Sequence, residues 1–209
     1  MRILVLASQK GGSGKTTIAA SLAVAAAQSG ERIVVVDLDP QGSLAEWGQL
    51  REVKDIVFRS VPPGKLDEWI TATRKVEKVD LVIIDTAGTF GKEVDTALRH
   101  ADLCLVPVRP SAFDLRAAGP TVERIRVLDR DFGFVLNGTN PVTPARTADA
   151  VAALEVGGAV APPIADRTDF RDAAATGLGV TEITPNGKAA SEIKALWSWV
   201  AERMKGTPK

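Results

Sequence analysis

The apolar run Arg2-Ile3-Leu4-Val5-Leu6-Ala7 leads almost directly into Lys10-Gly11-Gly12-Ser13-Gly14-Lys15-Thr16-Thr17, and a helix-like stretch, Ile18 to Ala25, follows at once. Strand, glycine-rich loop and helix in this order are the requirement of a phosphate-binding loop. The general template needs Gly, four residues, then Gly-Lys and Ser or Thr; counted back from Lys15, its first position falls on Gln9. The loop therefore fits a variant form that opens with an additional lysine. Gly11, Gly12 and Gly14 let backbone N–H groups approach phosphate oxygens without a Cβ in the way. The helix that follows turns its positive end toward the phosphates. Lys15 is expected at the β- and γ-phosphates of ATP and the Thr16 hydroxyl on Mg²⁺, with Ser13 and Thr17 completing the loop.

The rest of the chain alternates in the same way. Continuous apolar runs at Arg32–Asp37, Leu81–Asp85, Leu103–Val108 and Phe132–Asn137 suit strands buried on both faces of a parallel sheet. Ile56–Phe58 and Ala159–Ala161 are shorter candidates. Helical patterns lie between them at 67–74, 94–99, 115–128 and 147–154. This alternation predicts an α/β fold, a doubly wound, mostly parallel sheet with helices on both faces. The length of 209 residues suits a single domain, 1–209. Acidic and basic residues balance at 26 each, so any attraction to nucleic acid has to come from a local patch. One cysteine, Cys104, excludes a disulfide framework within the chain. The opening residues read as a core strand rather than a leader, and no apolar run reaches membrane-spanning length, so a cytoplasmic protein is expected.

Ligands of open α/β sheets bind beyond the carboxyl ends of the strands, and polar residues gather there. The second run ends Asp37-Leu38-Asp39-Pro40-Gln41-Gly42-Ser43. Carboxylates here suit orientation of water beside Mg²⁺; a polar turn with Ser43 as helix cap is the alternative. Asp85 ends an apolar strand, where a carboxylate is unfavourable without a partner such as Mg²⁺. Asn137 precedes Gly138; a side-chain amide that donates and accepts suits an adenine edge, and Asn-Gly is also an ordinary turn.

On these residues the sequence resembles the ParA/MinD family of deviant Walker A ATPases, most closely its small ParA-type partition and positioning proteins. The resemblance covers nearly the whole chain. It implies that Lys10 is the signature lysine, crossing an ATP-dependent homodimer interface to the partner's phosphates. It makes Asp39 a residue that holds or activates the attacking water, places Asp37 by the metal and γ-phosphate, and makes Asp85 the Walker B carboxylate. Family members commonly carry Asp-Thr-Pro-Pro where this chain has Asp85-Thr86-Ala87-Gly88, a change expected to loosen the following loop. Asn137 is placed against adenine, and the segment with Pro163 and Ile164 lines the nucleotide. Arg167 stands as a dimer contact, a DNA contact or a solvated charge. With Arg171, Lys188 and Lys194 it forms the expected patch for non-specific DNA binding, which gives nucleoid association.

The resemblance further implies a ParB-like or other ATPase-stimulating partner. With the phosphate loop beginning at residue 10, the helix-turn-helix extension of larger partition ATPases is not expected. A MinD-like membrane ATPase is the alternative: residues 188–205 place Ile193, Leu196, Trp197, Val200 and Met204 at helical spacing. Its basic face is thin, since Lys188, Lys194, Arg203, Lys205 and Lys209 are offset by Glu192 and Glu202, so packing on the body is favoured. An iron-protein reading lacks cysteines for a cluster, and a biotin-pathway enzyme lacks an identifiable substrate site.

Overall fold

The computed structural model describes residues 1–76 and 78–205; Glu77 and residues 206–209, Lys209 among them, lie outside the described residues. Seven strands form one sheet in the order β3-β2-β4-β1-β5-β6-β7. They are β1 (Arg2–Leu6), β2 (Ile33–Asp37), β3 (Ile56–Arg59), β4 (Leu81–Asp85), β5 (Leu103–Val108), β6 (Phe132–Thr139) and β7 (Val160–Ala165). Every pairing is parallel. Among the described residues, ten helices connect or cover them: α1 (Lys15–Gln28), α2 (Ser43–Leu50), α3 (Leu66–Arg74), α4 (Lys92–His100), α5 (Ala112–Ala117), α6 (Gly119–Val127), α7 (Pro144–Glu155), α8 (Thr168–Thr176), α9 (Val180–Ile183) and α10 (Lys188–Lys205).

Alternating strand residues divide the core into two layers. Leu4, Leu6, Val35 and Ile83 face α1, α2 and α10, whereas Ile3, Val5, Val34 and Ile84 face α3, α4 and α6. This is why the inner strands read as continuous apolar runs: both faces are covered. Helix α1 is rich in alanine, and Ala19, Ala23 and Ala26 are fully buried, which lets the helix lie close on the sheet. Strand β1 sits between β4 and β5. The chain winds outward on both sides of β1, so the crevice at its carboxyl end is the topological switch point.

Some expectations needed revision. The single helix expected over 115–128 is two helices, α5 and α6. Pro120 is the reason: it has no N–H for the preceding turn and is accommodated only at the start of a helix. Strand β7 extends to Ala165, through Pro162 and Pro163, because it is an edge strand paired only with β6. Ser43 is not the cap of α2; Gly42 holds that position at φ 68°, and the Asp37 carboxylate accepts the Leu44 and Ala45 N–H groups, each at 3.0 Å. The apolar face of α10 packs on the body, with Ile193, Leu196 and Val200 fully buried.

Candidate nucleotide-binding site

A cleft of about 470 Å³ opens at the carboxyl ends of β1, β5 and β6. One wall is the phosphate loop, with Gly11, Gly12, Gly14, Lys15, Thr16 and Thr17. The opposite side is built by Ala165, Asp166, Arg167, Phe170 and Arg171, and Asp39 and Gln41 stand at one end. Gly12 and Gly14 lie at φ 72° and 96°, a region that residues with a Cβ rarely adopt. The N–H groups that follow can therefore converge on an anion at the start of α1.

Lys15 is buried, and its ammonium donates to the Ser8 carbonyl at 3.3 Å. Thr16 Oγ1 donates to Asp85 Oδ2 at 2.5 Å. The Asp85 carboxyl is fully buried, and its Oδ1 has no hydrogen-bond partner. Burial, reinforced by repulsion from Asp37 and Asp39, pushes its pKa up to about 7 against the opposing hydrogen bond from Thr16 and the charge of Lys15. An orphaned carboxylate oxygen beside a threonine hydroxyl is a donor set that fits Mg²⁺. No group of three or more His, Cys, Asp or Glu suited to a metal occurs among the described residues, so such an ion would depend on phosphate oxygens and water for the rest of its shell.

Asp37 has a different setting. Its Oδ1 accepts the Asp39 N–H at 2.9 Å, while its Oδ2 caps α2. The carboxylate expected as a metal ligand is thus engaged by three backbone N–H groups, and it ties the turn carrying Asp39 to the following helix. Asp39 lines the cleft, and its Oδ1 accepts the Gln41 N–H at 3.0 Å.

Lys10 is not among the residues lining this cleft. Its side chain is 54% exposed, with the ammonium 4.0 Å from Asp114 at the start of α5. Phe113, beside it, is 81% exposed. Gly88 brings the loop after β4 onto the phosphate loop: a Cβ there would lie 3.7 Å from the Gly11 nitrogen.

On the far side, Asn137 Nδ2 donates to the Ser13 carbonyl at 2.8 Å. Pro163 and Ile164 do not line the cleft; Ile164 is buried in the core, and the residues from Ala165 onward take the place expected of them. The pairing of β6 and β7 is irregular around Asn137, slipping between Val135 and Asn137 and back between Asn137 and Thr139. The expected DNA patch is also altered. The Arg167 guanidinium is held by Glu192 at 2.6 Å, and Arg171 lies 3.3 Å from Asp166, both at the cleft rim. Lys188 and Lys194 are exposed, the latter donating to the Pro185 carbonyl. Arg109 was missed. It lines the cleft and donates from Nε to the Gly12 carbonyl at 3.0 Å. Its place one residue beyond β5, beside the strand that feeds the loop, is the signal that could have found it.

Comparison with known proteins agrees with this geometry. The profile described as the CobQ/CobB/MinD/ParA nucleotide binding domain matches residues 4–180. The chain belongs to this family of nucleotide-binding proteins. It is 31% identical over 182 residues to the protein ParA of Rhizobium radiobacter, covering 81% of each chain. It is 27% identical to the maintenance of carboxysome distribution protein A of Halothiobacillus neapolitanus, covering 90% of this chain and 91% of the relative. The fold is shared with MinD in the MinC:MinD complex of Aquifex aeolicus, at a TM-score of 0.84, 18% identity and coverage of 97% and 96%. It is shared also with the Pyrococcus horikoshii septum site-determining protein MinD, solved with Mg-ADP, at a TM-score of 0.80, 19% identity and coverage of 100% and 99%.

Proposed function

We propose that the chain is a small ParA-type ATPase. It forms an ATP-sandwich homodimer, binds DNA without sequence preference, and hydrolyses ATP to segregate or position a plasmid, a chromosome region or a protein cluster. The observation that carries this reading is the divergence of the two lysines of one loop. Lys15 is buried in the cleft, where it meets the phosphates of its own nucleotide; Lys10 stands exposed outside that cleft, available to a second subunit. A cation supplied across an interface stabilises charge on the transferring phosphoryl group.

The loop N–H groups and the start of α1 bind the phosphates, and Lys15 neutralises them. Thr16 and Asp85 would hold Mg²⁺, which supplies charge neutralisation at the phosphate oxygens. Asp39, fixed through its own N–H by Asp37, orients the attacking water. The residues from Ala165 to Arg171 flank the base side, and a ParB-like or other partner stimulates turnover. The names of the relatives support partition or positioning as the use of this cycle. The buried apolar face of α10 favours DNA over a membrane surface as the substrate for attachment.

The test is ATP turnover with and without bulk DNA, with light scattering in ATP and ADP. Lys15→Ala should lose nucleotide binding and turnover together. Lys10→Ala should still bind ATP but fail to dimerise, with hydrolysis falling about 10³-fold, the low end of what removing a trans cation does. A monomeric Lys10→Ala variant with full activity would remove the sandwich mechanism.

A further inference from the structure

A phosphate loop binds anions through its N–H groups, so a single peptide turned the other way aims a carbonyl oxygen at the ligand and repels it. Glycines at positive φ allow such rotation readily, and this loop has Gly12 and Gly14 there. Four carbonyls in and beside the loop nevertheless have donors around it. The Ser8 carbonyl accepts from Lys15 Nζ at 3.3 Å and the Gly14 carbonyl from the Ile18 N–H at 3.0 Å. Between them, the Gly12 carbonyl accepts from Arg109 Nε at 3.0 Å and the Ser13 carbonyl from Asn137 Nδ2 at 2.8 Å. The first pair belongs to the loop and its own helix. The second pair comes from outside, from the ends of the adjacent strands β5 and β6.

We infer that Arg109 and Asn137 are positioning residues that hold two consecutive carbonyls of the phosphate loop away from the nucleotide, fixing its N–H groups for phosphate before the ligand arrives. The contacts around them fit this role. No carboxylate lies within 4.0 Å of the Arg109 guanidinium among the described residues, so the loop carbonyl is its anchor. A Cβ placed on Gly138 would sit 3.8 Å from the guanidinium carbon, which puts Arg109 and the Asn137-Gly138 turn in one wall. A Cβ on Gly14 would lie 2.1 Å from Asn137 Nδ2, so the amide rests directly on the loop. Asn137 thereby has a task distinct from the base contact expected of it.

The inference rests on the nucleotide-binding reading of the cleft, and the experiment separates the two. Glutamine places an amide N–H the same number of bonds from Cα as the arginine Nε, without charge. Binding of a fluorescent ATP analogue is measured for the wild type, Arg109→Ala and Arg109→Gln, together with melting temperature and hydrogen exchange across residues 10–14 without nucleotide. Loss of one charge-assisted hydrogen bond predicts a dissociation constant raised about tenfold or more in Arg109→Ala. The melting temperature should be little changed, exchange across the loop should be faster, and Arg109→Gln should recover most of both losses. A Gln variant as weak as the Ala variant would mean that charge toward phosphate, not the carbonyl anchor, is what matters, and would overturn the inference. So would an Ala variant that binds like the wild type. A wild-type chain that binds no nucleotide would bring down the reading of the cleft itself.

Discussion

At the scale of single residues, the site depends on where each carboxylate finds its partners. Asp85 is buried with one oxygen unpaired, and its pKa rises to about 7. An unfolded aspartate titrates near 3.9. Between about pH 4 and 7 the unfolded chain has released this proton and the native chain retains it, so stability falls as pH rises through that window. Without nucleotide or magnesium, the wild type should therefore lose stability from pH 4.5 to 7.5 relative to Asp85→Asn, by on the order of a few kcal/mol. Urea unfolding at the two pH values checks this; parallel profiles would show that Asp85 is ionised throughout. Asp39 stands in the opposite situation: it lines the cleft, its N–H donates to the Asp37 carboxylate, and its own carboxylate accepts the Gln41 N–H. Asp39→Ala should bind ATP and remain dimeric on DNA while single-turnover hydrolysis falls about 10²-fold or more. If Asp39 is only a turn residue, thermal stability and ATP affinity should fall together and the chemical step should not.

Among the elements, α2 is anchored at both ends. Asp37 caps its first turn, and Arg51, 2% exposed, closes its far end with forked contacts to Asp55 and to Glu182, each at 2.8 Å. Arg51 Nη1 also donates to the Gly177 carbonyl at the end of α8, and the guanidinium lies over the Trp47 ring. The turn bearing Asp39 is thereby joined to α8, whose Phe170 and Arg171 line the cleft. Arg51→Met leaves two carboxylates unpaired, each part exposed, and should destabilise the fold by about 2–3 kcal/mol, below the range for a fully buried pair. Chemical denaturation measures it, and a loss under 0.5 kcal/mol, the size of an ordinary surface change, would mean the network is incidental. None of this was legible in the sequence, where Arg51 is one charge among 26 basic residues. The strands were legible because burial on both faces leaves an uninterrupted apolar run. The α5–α6 break was concealed because the apolar spacing continues across Pro120.

For the molecule as a whole, any attachment to DNA would have to come from local charge. Net charge is zero, and two of the four cations expected to touch DNA are paired, Arg167 with Glu192 and Arg171 with Asp166. If Lys188 and Lys194 carry the contact and dimerisation doubles them, about four phosphates are neutralised and log affinity should fall against log salt with a slope of roughly −3 to −4. A salt titration in ATP measures this, and the double substitution Lys188→Ala, Lys194→Ala should flatten it toward zero. An unchanged slope would place the DNA face elsewhere. The loop from Lys10 to Thr17, the apolar runs and the polar residues ending them are local patterns, so the sequence by itself determined the parallel α/β fold, the phosphate site and its central residues. Strand order, the irregular pairing of β6 and β7 around Asn137 and the bonds from Arg109 and Asn137 to the loop depend on residues far apart in the chain. Only the tertiary structure decided them, because a hydrogen bond between Arg109 and Gly12 leaves no periodicity in either neighbourhood: it exists only once β5 has paired beside β1.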